Sequence, residues 1–567
     1  MNFPIKRLLL WSSALTTAAG FLRKQFRNPL PRIFPNFHRW PKFRRHFVQN
    51  LFIGLVIEVL VHFGGHYWHL SALVDIQHGV LDSMMKLAAD TPSKNDNRPT
   101  QLFIDVDEQT YRNPSWGGGE PRTLPLDKIA DLISGACTNG ARYVLVDFVI
   151  DGPQDERQDD FISRIEDILE KNPKSHLLFV RTLRQPLERS TVKAVRYSFA
   201  LDSLIANHPD RVHAVAPNFL RSSDQVLRHW RLWESACYQL PGQKGKRCEG
   251  QWVIVPSPQL MITSLEKGLK MPWSLNLTKN QEGLMPADTL TCVVGTMGGE
   301  KPVAVDQEEI DARAQSARMA DWKAGHFVYT TFNTCYQQDS FKAENCGTDS
   351  SPPNEQLQKE VILKIEGEGL ANRILFRLSD WVRMHTEDIR HGETPAIITY
   401  DQYFDRLSAI NLLTAAPPAV GPAAYALKKF KEAGSNEMLT IAVIGASYED
   451  SRDAHITPLG VMPGSLVLVN AIDTLQTVGI LQSLPTLVIL SITALILVAI
   501  SAAFALLSAL WASVLMLALV ALTMGPLSFW FLKHGIWLDI GAPIIGIYLH
   551  RELEDIIERF NNNKSHQ

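Results

Sequence analysis

The chain has 567 residues, 56 of them Lys or Arg and 59 Asp or Glu, for a formal net charge of -3. Such a length accommodates several domains, and the near balance of charge says little as a total. What matters is how the charge is distributed.

Residues 1–46 form a basic, cytoplasmic segment: the first 50 positions hold ten Lys or Arg and no acid. Inside it, "LLLWSSALTTAAGFL" (8–22) has the look of a signal-peptide core. The basic run behind it argues against simple cleavage, so it reads as an interfacial apolar stretch. "LFIGLVIEVLVHFGG" (51–65), extended by "HYWHL", places a first transmembrane helix over 47–70, since about 20 apolar residues cross a bilayer. The basic flank marks its cytoplasmic end; a nucleic-acid-binding arm is the competing reading, which the adjoining span disfavours. Glu58, His62, His66 and His69 share roughly one side of that helix. Two readings are open: a polar seam between helices, or a face that senses protons or metal, with Asp539 in the last apolar segment as partner.

Residues 71–475 are soluble in character. "QLFIDVDEQTY" (101–111) reads as a strand, "PLDKIADLISGACTNGA" (125–141) as an amphipathic helix, and "RYVLVDFVI" (142–150) as a strand buried on both faces. "DERQDDFISRIEDILEKN" and "HLLFVRTL" continue the alternation, which predicts an α/β domain with a parallel or mixed sheet covered by helices. Residues 186–350 are less regular and read as an accessory insertion. Helical pattern returns at about 355–390, then come a strand "ETPAIITY", a short helix "DQYFDRLSA", a Pro/Ala/Gly-rich connection and the strand "MLTIAVIGAS". The six cysteines lie between the apolar ends. Cys237/Cys248 and Cys335/Cys346 share one spacing in polar loops, the pattern of local disulfides in an oxidising compartment. A zinc site, which favours tighter Cys-x-x-Cys spacing, and free thiols are the alternatives; Cys137 and Cys292 read as buried thiols.

After Asp473 no Asp, Glu, Lys, Arg or His occurs until Lys533. Residues 484–550 divide into three transmembrane helices, the second bent near Pro526, followed by a short cytoplasmic tail at 551–567. Two crossings instead of three would place the tail outside.

Asp105, Asp107, Asp147 and Asp151 fall at or near strand exits, and Arg122 precedes a helix. Ligands of open α/β sheets bind beyond the carboxyl ends of the strands. These residues therefore make a candidate pocket in which Arg122 holds an anion and the acids hold a cation or an amine. Helix capping explains the same positions equally well. No nucleophile–base pair and no metal-ligand spacing is visible, so neither an enzymatic activity nor a cofactor is expected. In "RDAHITPLGVMPGSLVLVNAIDTL" (452–475), Asp453, Thr457, Pro458, Gly460, Pro463 and Gly464 form turns ahead of a helix. They serve either to couple the domain to the bilayer or simply to anchor it.

The pieces "FIDVDEQTY", "WGGGEPRTLPLDKIADLISGACTNGARYVLVDFVI" and "IAVIGASYEDSRDAHITPLGVMPGSLVLVNAIDTL", in this order and ahead of consecutive apolar segments, resemble the second type of CHASE domain, the cyclase- and histidine-kinase-associated sensory extracellular domain. The resemblance covers both ends of the soluble region and omits 186–350. It implies an extracytoplasmic sensor held by one preceding and three following helices in a bacterial inner membrane. Members usually continue into a cyclase, kinase or phosphodiesterase; here only seven residues follow "HRELEDIIERF". The expectation is thus a membrane sensor, with the lipid bilayer and a separately encoded cytoplasmic effector or envelope protein as partners, no nucleic acid, and a homo-oligomer within its range. A structural subunit of an envelope complex is the alternative, and an extracytoplasmic hydrolase a weaker one.

Overall fold

The computed structural model describes residues 39–66, 71–89, 98–118, 124–150, 154–184, most of 193–266, short segments between 274 and 401, then 404–414, 422–479 and most of 481–538. Two compact units emerge: Asp82–Gln482 with Lys533–Ile536, and Met1–Leu81 with Ser483–Leu532 and Trp537–Gln567. Helix α1 (Lys42–His66) covers the first predicted span up to His66, residues 67–70 lying outside the described residues, and α2 (Ser71–Ala89) comes next.

The larger unit is built on seven strands: β1 (Thr100–Val106), β2 (Tyr143–Val146), β3 (His176–Val180), β4 (Val212–Val215), β5 (Ile397–Asp401), β6 (Phe404–Ser408) and β7 (Thr440–Ala446). Their order is β5-β6-β1-β7-β2-β3-β4. Every neighbouring pair is parallel except β5 with β6, so the sheet is mixed, with an antiparallel edge strand. The last strand in sequence, β7, lies between β1 and β2, pairing Asp105 with Gly445 and Val146 with Ile444.

Strand alternation divides the sheet's residues between two layers. Leu102, Ile104, Val144, Val146, Ala442 and Ile444 join one core with helices α3 (Glu108–Arg112), α4 (Leu126–Thr138), α5 (Glu156–Lys171), α6 (Phe199–Asn207) and α8 (Pro422–Ser435). Phe103, Tyr143, Leu145 and Val443 are buried on the opposite face. Helix α9 (Gly464–Thr477) packs there against β1 and β7, and against α7 (Pro258–Glu266). Residues Gly464 to Leu475 of α9 are all buried, which is why its sequence is apolar nearly all round. Covered on both faces, the strands read as continuous apolar runs.

Several sequence expectations change. "DQYFDRLSA" is not a helix: residues Phe404–Ser408 form β6, hydrogen-bonded beside β1, where Phe404, Asp405, Leu407 and Ser408 are buried. A five-residue segment has too few turns to declare its period, and the neighbouring strand settles it. Within 355–390, Val361–Glu366 is a strand paired with Ala324–Tyr329, not a helix. Helix α8 occupies residues read as the end of a connection; Pro422 is acceptable as its first residue. The accessory insertion carries four strands of a second sheet, in the order Ser274–Leu275, Trp252–Pro256, Trp233–Gln239, Lys193–Arg196, completed at one edge by Leu183–Arg184 just before it. Cys137 is a buried free thiol whose burial pushes its pKa to about 11. Cys248, Cys335 and Cys346 lie outside the described residues, and of Cys237 only the strand backbone is described, so neither proposed disulfide acquires support.

In the smaller unit α1 packs against α10 (Thr486–Leu506). Among the described residues one helix is long and apolar enough to cross a membrane, Leu510–Lys533 within α11 (Ala509–Lys533); Ser491–Leu506 is apolar but shorter. Pro526 sits inside α11, which continues on both sides of it. Asp539 and nearly all of the third predicted span lie outside the described residues, as do the side chains of Glu58, His62 and His66.

Helix α9 docks on the sheet at Gly445, where an added Cβ would stand 1.9 Å from Ser465 Oγ. Gly79 in α2 has nothing within 4 Å of that position. Gly445→Ala is therefore expected to lower stability by about 1–3 kcal/mol through overpacking. Gly79→Ala is expected to raise it by up to about 1 kcal/mol through helix propensity. Thermal unfolding of the full-length protein in detergent checks both.

Candidate functional site at the carboxyl ends of the strands

Parallel strands deliver β1, β7 and β2 side by side, so Asp105, Gly445 and Asp147 form a row across one end of the sheet. With strands about 4.8 Å apart, the two acids stand on backbones roughly 10 Å from each other. Ser465, the second residue of α9, sits over the glycine between them.

Asp105 is fully buried. Its Oδ2 accepts from Arg406 Nε at 2.8 Å, from Arg406 Nη2 and from Ser447 Oγ at 2.7 Å, while Oδ1 has no hydrogen-bond partner among the described residues. Desolvation raises its pKa, opposed by the Arg406 charge and reinforced by the nearby Asp107. Arg406 belongs to β6, opposite Phe103, and its guanidinium lies 6.0 Å from that ring's centroid. The cation facing Asp105 is thus Arg406, which the helical reading of 401–409 concealed. Arg122, expected to hold an anionic ligand, lies outside the described residues, as does Asp151.

Asp107 does what the capping reading anticipated. It is the N-cap of α3, accepting from Thr110 N and Thr110 Oγ1 at 2.8 Å each. Thr110 Oγ1 in turn accepts from Ile410 N at 3.1 Å and lies 3.2 Å from Ser408 Oγ, tying the exits of β1 and β6 together. Aligned with this, Tyr111 and Tyr448 stack with centroids 4.1 Å apart.

Asp147 follows β2 and accepts from Ser465 Oγ at 2.7 Å. Desolvation, then the neighbouring carboxylate of Asp453, push its pKa up to about 7. Asp453 closes against the start of α9: its backbone carbonyl accepts from Gly464 N at 2.8 Å, and a Cβ on Gly464 would meet its Oδ2 at 2.3 Å. Asp453 Oδ1 is 3.0 Å from His455 Nε2, and Arg221 Nη2 is 3.3 Å from His455 Nδ1. A neutral imidazole with its proton on Nε2 satisfies both contacts, donating to the carboxylate and accepting from the guanidinium.

The predicted turns form a hairpin, β8 (Ala454–Thr457) and β9 (Gly460–Pro463). Pro458 and Leu459 make its tip; Thr457 Oγ1 accepts from Leu459 N at 3.2 Å and donates to Gly460 O at 2.7 Å. Gly460 has φ +119°, a backbone that other residues rarely adopt. Pro463 is the residue before α9 and makes no side-chain cap. The structure therefore divides the predicted pocket into an ion-paired half, Asp105 with Arg406 and Ser447, and a half at the foot of α9, Asp147 with Ser465, Asp453 and His455. Sequence reading missed Arg406, Ser465 and Gly445; the glycine inside the strand "IAVIGAS" was the available signal for a close approach.

The family model of the CHASE2 domain matches residues 53–508. No curated protein and no solved structure matches.

An acid whose folded pKa is raised stabilises fully below its unfolded value near 3.8, and that contribution is lost as the pH rises through about 7. Asp147→Asn, neutral throughout and still able to accept from Ser465, escapes the loss. The full shift corresponds to ~4 kcal/mol, and partial exposure reduces this to roughly 1–2 kcal/mol. Chemical denaturation is expected to show the variant gaining on the wild type by that amount between about pH 4 and 7, with a constant gap above. A pH-independent difference would contradict the assignment.

Proposed function

The chain belongs to the CHASE2 domain family, a family of extracellular sensor domains, and from that premise we propose that it is a multi-pass protein of the bacterial inner membrane that detects an extracytoplasmic signal and hands it to a partner protein. The observation that carries the reading is the place of α9. This helix lies in the domain core, carries the first-turn contacts to Asp147 and Asp453, and is separated in sequence from α10 by residues 478–485 alone. A change at the foot of α9 has a short covalent path to the apolar helices.

Membrane passage is supported by the apolar surface of the smaller unit. Leu495 and Leu522 are 71% and 76% exposed, and Leu515, Leu519 and Trp530 are exposed beside them. Such a surface on helices without a charge before Lys533 suits lipid better than water. The basic flank at 1–46 supports a cytoplasmic start. An alkaline phosphatase fused near residue 300 is expected to be active and a fluorescent protein fused there dark; the reverse pair of results would overturn the topology.

A second reading, a subunit of an envelope complex, draws on the hairpin ahead of α9. Ile456 and Val461, directly opposed across β8 and β9, are each more than half exposed, the kind of apolar pair that docks a protein. Thermal shift of the full-length protein against a metabolite library separates the two. A saturable rise in melting temperature with one compound supports the sensor, whereas stabilisation by a co-purifying envelope protein alone supports the subunit.

A further inference from the structure

Two helices mark where the chain enters and leaves the larger unit: α2, which follows α1, and α9, which precedes α10. Asp82 of the first and Thr474 of the second lie 392 positions apart in sequence, yet one chain of polar contacts joins them. Asp82 in α2 accepts from Arg373 Nη2 at 2.6 Å and from Arg228 Nη2 at 2.7 Å and Nε at 3.0 Å. Arg228 also donates to both oxygens of Asp224, at 2.7 Å each. Two guanidinium groups and two carboxylates thus form a neutral set, with Arg373 and Arg228 themselves buried.

Two residues beyond Arg373 the same extended segment reaches α9. Thr474 Oγ1 accepts from Leu375 N at 3.1 Å and lies 3.0 Å from Leu375 O and 2.7 Å from Asn470 O, with one proton to donate. One residue earlier in α9, Asp473 accepts from Arg98 Nε at 2.7 Å, both side chains being buried. Arg98 stands just before β1, on the stretch of chain leading in from α2. Residues 373–376 also hold the accessory lobe, since Ile374 N donates to Arg228 O at 2.9 Å.

We propose that residues 373–376 act as a clasp that makes the entering helix α2 and the leaving helix α9 move as one, Asp82 holding one end through Arg373 and Thr474 the other through Leu375. The Asp82–Arg373 pair is largely buried and the Leu375–Thr474 hydrogen bond fully so, and such links break together rather than stretch, because a buried charge left alone is costly. Burial pushes the Arg373 pKa down to about 10, so the guanidinium keeps its charge across the physiological range. As a route for a signal the clasp rests on the sensor reading; as a mechanical link it stands without any stimulus.

Hydrogen exchange of the full-length protein in detergent tests the link directly. Thr474→Val removes the hydroxyl while keeping the side chain's shape and charge. Exchange in α2 around Asp82 is expected to accelerate at least about tenfold in this variant, although the substitution is made in α9. Asp82→Asn is expected to accelerate exchange in the last turns of α9 by a similar factor. Should Asp82→Asn fail to fold, Thr474→Val decides alone. Acceleration confined to α9 in Thr474→Val would overturn the proposal and leave the sensor reading untouched; that reading fails instead on the topology of the reporter fusions.

Discussion

The structure depends on the insertion of β7 between β1 and β2. Residues 440–446 pair on both edges with strands formed by residues 100–106 and 143–146, and Arg142 N meets Thr440 Oγ1 across 298 residues of chain. Closing so long a loop costs conformational entropy, although that cost grows only with the logarithm of length. In return a single strand completes two ladders and presents Gly445 where α9 can settle. The row of Asp105, Gly445 and Asp147, and the position of Ser465 above it, are consequences of that one placement.

Three acids on the α9 side of the sheet are handled in three ways. Asp473 is paired with a buried arginine, and Asp105 is held by Arg406 and a serine hydroxyl on one oxygen. Asp147 receives a serine hydroxyl and has Asp453 as its neighbour. The first two are locked by charge, whereas the third rests on a balance that a proton can tip. It also lies against the first turn of the helix whose other end meets Arg98 and Leu375, so the locked and the adjustable acids share one rigid element.

The sequence disclosed the parts of the fold with strong periodicity and clear boundaries. The helix around Ile129, Leu132, Ile133 and Ala136, the strand at 143–146 and the helix starting after Asp155 all stand where alternation and capping residues place them. Asp107 caps α3, as the helix-capping reading of its position has it. What remained hidden was tertiary in origin. Five residues at 404–408 become a strand because β1 offers an edge, and with that Arg406 enters the site. The turns after Asp453 become a hairpin because Thr457 and Gly460 bond to each other. The glycine in "IAVIGAS" signals a close approach, but no local pattern names its partner, a serine 20 positions later.

Placing the sheet's last strand in sequence at its middle also governs when the domain can form. A polypeptide made from its amino end would hold β1 and β2 with an empty slot between them, two open edges of the sort that invite wrong partners. Nothing closes that slot until residue 446 is available, by which point only α9 and its hairpin separate the chain from its uncharged helices. Maturation of this domain is therefore coupled to the delivery of its last segment, and a product stopped before residue 440 would be a protein without a keystone.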